Sequence, residues 1–379
     1  MNITISNDDR MLSDTMHRFC AQVIAPAAAR IDELSLSSIM HREALSDVGI
    51  MGMNLPERFG GPGISAVALY LAVEHLAGAC GSTASMVTAH FLSTDSILLG
   101  GTEQQQQAYL PDAATGRKLG AFALTEPAAG SNPAGMRTVA EKTENGYHLR
   151  GVKHFISNAG EADFLVIYAK TDPDAGHRGI SAFIVDRETA GVIVGPAERT
   201  MGLRGGHIFE VALDCEIPAE KLLGGEEGTG FRTAMKVLDN GRVEIAACCT
   251  GIARAAFDAA LSWARTREVD DHPIGDFQGL QWMIADMATD LEAARMFGLK
   301  AATKREMGDR FSLESAMAKL YASESAARIT DSALQIHGGY GFSRDMPLER
   351  YVRDVRIMRI YEGSSEVQRN IIAGTVLSR

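Results

Sequence analysis

Hydrophobic and polar positions alternate along one segment in the middle of the chain. From Phe209 to Ile217, the odd-numbered residues are apolar and the even-numbered residues are mostly acidic. A period of two predicts a β-strand with one buried face. The runs Phe164–Ala169 and Ile180–Val185 are short, rich in β-forming residues and bounded by Asp, Pro or Gly, so they also predict strands. Asn145-Gly146 indicates a turn between two strands.

A helical period replaces this alternation in the last part of the chain. The apolar residues that recur at steps of three and four, and so share one helical face, are Leu280, Ile284, Met287, Leu291 and Ala294. A second helix is predicted at about Leu313–Ile336, where Ala and Ser are frequent. Near the start, Glu103–Leu110 is predicted to be helical, with Pro111 after the helix.

Glycine and proline divide the chain into three parts. Residues 1–118 contain 10 Gly and 4 Pro, residues 119–225 contain 15 Gly and 5 Pro, and residues 226–379 contain 13 Gly and 2 Pro. Because proline disrupts helix interiors, the last part can form long helices, whereas the middle part is typical of strands and turns. We therefore predict an α+β protein, with an N-terminal helical domain (1–118), a central β-domain of sandwich or barrel type (119–225) and a C-terminal helical bundle (226–379).

Composition excludes several functional classes. Hydrophobic residues make up 46% and charged residues 22% of the 379 residues, as in soluble globular proteins. A net charge of −11 argues against non-specific binding of nucleic acid, so an anionic ligand would need a local group of arginines. No uncharged apolar run approaches the ~18 residues of a membrane span.

Cysteine content and the N-terminus predict the compartment. Five cysteines without C-x-x-C or Cys/His spacing favour neither a disulfide framework nor a metal site, and the adjacent Cys248 and Cys249 are interpreted as buried fillers. The N-terminal segment carries acids where a targeting peptide would be basic. We expect a reducing cytoplasm.

Two stretches combine backbone features with polar side chains. Phe122–Asn132 is a predicted strand that enters a turn rich in Pro, Gly and Ser, whose amides and hydroxyls could bind a polar cofactor edge; the alternative is a surface turn. Asp239 and Arg242 share one helical face. The alternative for this pair is a solvated ion pair worth less than ~1 kcal/mol.

Two further stretches lie at predicted helix ends. At Gln335–Gly341, paired glycines end a helix and would let a ligand approach the backbone closely. The alternative is that they only form the C-cap of the helix, and that His337 is a structural histidine. In Arg359–Arg369, Gly363 can end one helix, and Ser365 can cap the next helix with Gln368 in a capping box. Glu362 then projects from a fixed turn, which suits a general base, although a surface glutamate is the alternative.

These four stretches and two further segments make six elements that follow one another in the order of a known family pattern. From about residue 8 to 377, the chain resembles the acyl-CoA dehydrogenase family. The elements are the loop Thr125–Ser131 (TEPAAGS), Phe155–Ser157 (FIS), the pair Asp239 and Arg242, Arg267 followed by Pro273–Gln278 (PIGDFQ), the turn Gln335–Gly341 (QIHGGYG) and Tyr361–Arg369 (YEGSSEVQR). The stretches SMVTAHF, FISNAGEADF and SAMAKLYASE look most like short- and branched-chain members, especially isobutyryl-CoA-like ones.

The resemblance implies a fold and a reaction. It implies an N-terminal helical domain, a middle β-domain, a C-terminal four-helix bundle, FAD, and a homotetramer built as a dimer of dimers. The implied reaction converts an acyl-CoA to the trans-2-enoyl-CoA in fatty acid or branched-chain amino acid catabolism. An electron-transfer flavoprotein would accept the electrons; neither nucleic acid nor a membrane span is implied.

The resemblance also assigns roles to residues. Glu362 matches the base that removes the α-proton, while the β-hydrogen leaves as hydride to flavin N5. Burial should raise the pKa of Glu362. The positions that match FAD contacts are Phe122, Leu124, Thr125, Gly130, Ser131, Phe155, Ser157, Arg267, Phe277, Gln278, Gln335, Gly338, Gly339, Ser364 and Glu366, with Arg267 and the glycine turn acting across a subunit boundary. The positions that match substrate contacts are Ser131, Asp239, Arg242, Tyr361 and Gly363.

Three departures from the family pattern stand out. Phe155 replaces a common Trp, and Asn132 replaces a common Asp. Asp270-Asp271 replaces Phe-Gly beside Arg267, and two acids that pointed inward would oppose pyrophosphate binding. Two other functions stay open: an oxidase or flavin monooxygenase of the same superfamily that passes electrons to oxygen, and, on the Asp270-Asp271 change alone, a non-catalytic protein that binds acyl-CoA.

Overall fold

In the computed structural model, which describes residues 5–378, helices occupy both ends of the chain and a sheet the middle. The first residues of the N-terminal segment discussed above lie outside the described residues. The helices are α1 (Asn7–Phe19), α2 (Ala28–Leu34), α3 (Arg42–Asp47), α4 (Ala66–Ala79), α5 (Gly81–Gly100), α6 (Glu103–Ala114), α7 (Gly230–Thr266), α8 (Gln278–Glu306), α9 (Ser312–His337), α10 (Gly339–Phe342), α11 (Leu348–Val355) and α12 (Ser365–Leu377). The strands are β1 (Gly120–Ala123), β2 (Val139–Lys142), β3 (Gly146–Ser157), β4 (Phe164–Lys170), β5 (Ile180–Asp186), β6 (Val192–Val194), β7 (Ile208–Pro218), β8 (Glu268–Val269) and β9 (His272–Pro273).

The central strands form one curled mixed sheet in the order β1-β4-β2-β3-β7-β6, with β5 paired to β4. The predicted alternation is confirmed, because the apolar residues of β7 are buried and the acidic ones exposed. The two predicted runs of β-forming residues are confirmed as β4 and β5, which are almost wholly buried. Asn145-Gly146 leads from β2 into its antiparallel neighbour β3, as predicted.

The C-terminal helices pack around α7, which also contacts α4 and α5 from the N-terminal part. The predicted face of α8 is confirmed: Met287, Leu291 and Ala294 are buried in this core. Helix α9 covers the predicted helical segment 313–336. Helix α7 is long and apolar enough to cross a membrane by length and composition, but 61% of its most apolar window is buried inside the protein, as in a core helix. The domain limits at 118 and 225 stay predictions.

Pro111 lies inside α6, and the prediction that the helix ends before it is wrong. Helix α6 continues to Ala114 because Leu110, Ala113 and Ala114 on both sides of the proline are buried in the core beneath it. Tertiary packing thus outweighs the one backbone hydrogen bond that proline cannot donate.

The cysteines pack as predicted. All five are free and buried, including Cys248 and Cys249 in the middle of α7. Within residues 5–378, no group of three or more His, Cys, Asp or Glu side chains could hold a metal ion.

Candidate active site

Glu362 lies in a tight turn between a 3-10 helix (Arg356–Arg359) and α12. Its φ is +52°, and that of the following Gly363 is +93°. A positive φ is uncommon for a residue with a side chain and costs of order 1 kcal/mol, so the surroundings must hold it in place. The predicted break between two helices at Glu362 is therefore confirmed.

Two fully buried side chains hold the carbonyls of this turn. Gln368 Nε2 donates to the carbonyl oxygens of Glu362 at 3.3 Å and Gly363 at 2.9 Å. Lys319 Nζ, from α9, donates to the same Gly363 oxygen at 2.7 Å. The backbone N–H of Glu362 makes no hydrogen bond within residues 5–378. The carbonyls of Glu362 and Gly363 are thus bound, and the Glu362 amide is available as a donor.

The predicted cap of α12 is wrong by one residue. Ser364, not Ser365, is the N-cap, and its Oγ accepts from Val367 N at 3.4 Å. Ser365 is the first helical residue and donates to Glu324 Oε1 at 2.6 Å. Gln368 does not complete a capping box because its amide binds the turn carbonyls instead.

The Glu362 carboxylate faces α7 at Gly241. Its Oε2 exposes less than 1 Å² and accepts no hydrogen bond from any described residue. A methyl group on Gly241 would collide with that oxygen and lie 2.7 Å from Leu92 Cδ2. Burial raises the pKa of Glu362 to about 7, while the positive charges of Lys319 and Arg242 oppose the rise. The predicted upward direction of the pKa is confirmed.

Asp239 and Arg242 form a buried ion pair beside this carboxylate. Arg242 is only 5% exposed, and its Nη1 lies 2.6 Å from Asp239 Oδ1. Ser312, at the start of α9, also donates to Asp239. Arg242 Nε has no partner among the described residues. The alternative of a solvated pair is wrong, because α9 covers the arginine.

A second polar cluster lies in the core next to α7. Asp95 accepts hydrogen bonds from Asn54 at 2.8 Å and Asn240 at 2.6 Å. Arg305 Nη1 lies 3.5 Å from Glu244 Oε1, and both carboxylates are almost fully buried. Burial and the charge of Asp95 raise the pKa of Glu244 to about 8. One cation faces two acids here, so burial and mutual repulsion oppose the ionisation of both carboxyl groups at once.

The predicted cofactor loop follows β1 and is tied to β3. His154 N donates to the Thr125 carbonyl at 2.9 Å. Lys153 Nζ donates to the Leu124 carbonyl at 3.1 Å and to Glu126 Oε1 at 2.8 Å, and both charged groups are buried. Phe122 is half-buried and packs on Tyr168, with 5.1 Å between ring centroids. The surface-turn alternative is therefore wrong for 124–126, whereas residues 130 and 131 are exposed.

Phe155 lies at a break in the register of β3 between residues 153 and 156. Its φ is +58°, which is rare for a bulky residue, and its side chain is 56% exposed. The ring stacks on His154 with centroids 4.0 Å apart. Ser157 follows in the same strand and is half-buried. A rigid, exposed aromatic face beside the loop suits contact with a planar ring system.

The remaining cofactor positions lie at the ends of α7, α8 and α9. Arg267 lies 5.9 Å from the Tyr340 ring centroid, and Trp263 stacks on the buried structural His337 at 5.0 Å. Gly338 has a φ of +58°, and a side chain there would meet nothing within 4 Å. The exposed residues around this group are Arg267, Phe277, Gln278, Gln335, Gly338 and Gly339. Their assignment to a cofactor shared between subunits stays a prediction.

Asp270 and Asp271 form the tip of the two-stranded hairpin β8–β9. Both have positive φ, +52° and +63°, as the type I′ turn of a two-residue hairpin requires. Both side chains are exposed. Both acids therefore lie at the surface, as Arg267 does, and their effect on the binding of an anion stays a prediction.

Several residues of the site were not predicted from the sequence. They are Lys153 and Glu126 behind the loop, Gly241 opposite the base, and Lys319 and Gln368 around the turn. One local signal was available for the lysines: each is a lone charge within a run of small or apolar residues. Their partners are distant in sequence and leave no such signal.

Three domain models of one family match consecutive segments of the chain: the acyl-CoA dehydrogenase N-terminal domain over residues 6–117, the middle domain over 121–215 and the C-terminal domain over 228–377. An acryloyl-CoA reductase (NADH) of Anaerotignum propionicum is 40% identical to this chain, in an alignment that covers 100% of this chain and 97% of the relative. A short-chain specific acyl-CoA dehydrogenase of Clostridium acetobutylicum is 38% identical, with coverages of 99% and 100%.

Solved structures also match the fold over the whole chain. A chain in the structure of the electron transferring flavoprotein of Acidaminococcus fermentans superposes with a TM-score of 0.98 at 38% identity, covering 100% of both chains. Family matches over all three segments, together with the buried glutamate turn, place this chain among the enzymes that act on the CH–CH group of acyl-CoA: it belongs to the acyl-CoA dehydrogenase family.

Proposed function

We propose that this protein is an FAD-dependent dehydrogenase of short acyl-CoA thioesters, with Glu362 as the base. One observation carries the proposal: a buried carboxylate without a hydrogen-bond partner at Oε2 lies on the same residue as a backbone N–H without a partner. An acid and a donor on one turn can serve the α-carbon and the carbonyl of one thioester.

The chain's own groups divide the work as follows. The Glu362 N–H donates to the thioester oxygen, where negative charge develops as the α-proton leaves. The Glu362 carboxylate takes that proton, and Arg242 and Lys319 stabilise the ionised base before it reacts. A bound FAD would supply the acceptor for the β-hydrogen and its electron pair, so that loss of the α-proton to Glu362 would leave a double bond between the α- and β-carbons.

The residues around the proposed FAD site fit such a group. Phe155 offers an exposed aromatic face, and the loop that ends in Ser131 offers amides and a hydroxyl beside it. Arg267 is exposed and can neutralise a pyrophosphate, and the open space around Gly338 permits close backbone approach. Three segments with complementary chemistry thus support the binding of a flavin dinucleotide.

We expect short acyl-CoA substrates to bleach the yellow, FAD-loaded protein under anaerobic conditions. The short-chain specific relative supports a small acyl group, and Leu92 narrows the space beside the base. The measurement is flavin absorbance with butyryl-, isobutyryl-, 2-methylbutyryl-, isovaleryl-, hexanoyl- and octanoyl-CoA. Fast bleaching by C4 substrates is the expected result. A folded, FAD-loaded protein that none of the panel bleaches would contradict the proposal.

The bleaching rate should depend on pH through the base. Because the pKa of Glu362 is raised to about 7, the group is protonated and inactive below this pH and ionised above it. The observed rate should therefore rise about tenfold per pH unit at acidic pH and level off above neutrality. Stopped-flow measurements from pH 5.5 to 9 provide the profile. A profile that is flat across pH 7 would remove Glu362 as the titrating base.

Two other functions of the same site can be distinguished from dehydrogenation. Reduction of a short 2-enoyl-CoA is favoured by the acryloyl-CoA reductase relative and by a carboxyl group with a pKa of about 7, which can also donate a proton. Rapid reoxidation of the reduced flavin by acryloyl-CoA would support this direction. Rapid reoxidation by air with release of peroxide would instead indicate an oxidase.

We also propose an electron-transfer flavoprotein as the electron acceptor, which the similar chain in the Acidaminococcus fermentans structure supports. A homotetramer is supported by large apolar side chains at the surface of α8, such as Trp282 at 63% exposure. Five free, buried cysteines agree with a reducing cytoplasm.

A further inference from the structure

Lys319 is a buried cation without an ion-pair partner. Its side chain is 0% exposed, and its only hydrogen bond within residues 5–378 goes to the Gly363 carbonyl. No described carboxylate lies within 4.0 Å of its Nζ, whereas the buried Lys153 pairs directly with Glu126. Burying an unpaired ammonium is unfavourable, so this position needs an explanation beyond packing.

The hydrogen bond alone does not require a charge. Gln368 Nε2 already donates to the same Gly363 oxygen at 2.9 Å, so a neutral amide satisfies that acceptor. The ammonium adds a positive charge at the carbonyl of Gly363, the residue that follows Glu362. The Glu362 carboxylate also has no ion-pair partner among the described residues. Arg242, the other nearby cation, is already paired with Asp239 at 2.6 Å.

We propose that Lys319 is the positioning residue of this site: its buried ammonium fixes the turn through the Gly363 carbonyl and keeps the Glu362 carboxylate ionised. This inference rests on the proposed function for its consequence in catalysis. The lysine thus restrains the backbone next to Glu362 on one side, while Gln368 binds the carbonyl of Glu362 itself.

The electrostatic surroundings agree with this role. Lys319 opposes the rise in the pKa of Glu362 more strongly than Arg242 does. Burial lowers the pKa of Lys319 itself to about 8, so near neutral pH the lysine is charged while the glutamate begins to ionise. The other titratable groups that interact with these two residues, from α7, α9, the turn and α12, are Arg242, Glu244, Cys248, Cys249, Glu324, Tyr361 and Glu366.

The test compares a charged with a neutral donor on one carbonyl. Lys319→Met removes charge and donor, whereas Gln368→Met removes only a donor. The readout is the infrared band of the protonated Glu362 carboxyl in the FAD-loaded protein without substrate, assigned as the band that Glu362→Gln lacks. The intensity of this band is followed as a function of pH, and the pH at which half of it is lost is the midpoint for Glu362. We expect this midpoint to rise by about one pH unit in Lys319→Met. We expect it to stay at the wild-type value in Gln368→Met and Lys319→Arg.

Kinetics supply a second readout. Lys319→Met should bleach about fivefold more slowly than the wild type at pH 7 and approach the wild-type rate at pH 9, because a one-unit rise in the pKa of the base from about 7 lowers its ionised fraction at pH 7 by that factor. Lys319→Gln is a second neutral variant and replaces Lys319→Met if that protein does not fold. If the Glu362 carboxyl band of Lys319→Met or Lys319→Gln titrates at the wild-type midpoint, the proposal is overturned. Because this titration needs no turnover, failure of the proposed function would not affect it.

Discussion

Glu362→Gln should slow anaerobic bleaching by a short acyl-CoA by about 10³-fold, within the range for loss of a general base. Glutamine has nearly the same shape but cannot accept the α-proton. The backbone N–H of residue 362 remains, so binding of the thioester carbonyl should be kept. The measurement is the stopped-flow rate of the FAD-loaded variant at saturating substrate, with the dissociation constant taken from the concentration dependence.

The matched control for this variant is Glu188→Gln, at a glutamate whose side chain is 82% exposed and which is not among the predicted site positions. It should bleach at the wild-type rate. Equal FAD content and equal thermal stability of the two variants would show that the loss at Glu362 concerns chemistry. A folded Glu362→Gln protein that bleaches as fast as the control would refute the assignment of the base.

Lys153→Met should destabilise the protein by about 3–5 kcal/mol, the range for breaking a buried ion pair. Lys153 is 0% exposed and Glu126 is 5% exposed, and the pair lies 2.8 Å apart. Without the lysine, the Glu126 carboxylate is left buried with only the backbone amides of residues 137 and 138. The Leu124 carbonyl also loses its donor, so the loop should bind FAD more weakly. Denaturant unfolding and FAD titration measure both effects.

Two variants make this result specific. Lys142→Met, on the neighbouring strand β2 and 77% exposed, should change stability by less than about 0.5 kcal/mol. The double variant Lys153→Met/Glu126→Gln should recover part of the lost stability, since no unpaired charge remains. If Lys153→Met were as stable as Lys142→Met, the buried pair would not support the loop.

Several elements could be predicted because their causes are local. The strand from Ile208 to Pro218 and the helix from Ser312 to His337 each carry a hydrophobic period that only one kind of element can bury. Turn chemistry is local as well, which is why Asn145-Gly146 and the glycine after Glu362 marked true breaks. Glu362 itself was found through a motif, and the structure then supplied its buried environment.

The errors arose where distant contacts compete with local rules. Pro111 usually ends a helix, but the core beneath α6 keeps the helix intact. Ser364 rather than Ser365 caps α12 because Glu324, from another helix, accepts a hydrogen bond from Ser365.

The sequence alone thus determined the order of the segments, the family resemblance and the candidate for the base, because periodicity, turn residues and motifs lie within short stretches of the chain. Only the tertiary structure decided the pKa of Glu362 and the contacts that hold its turn. The Gly363 carbonyl meets Lys319 from 44 residues earlier in the chain, and Gly241 makes room for the carboxylate from the opposite helix. Burial and Coulomb interactions depend on distance in space, which no local pattern of residues encodes.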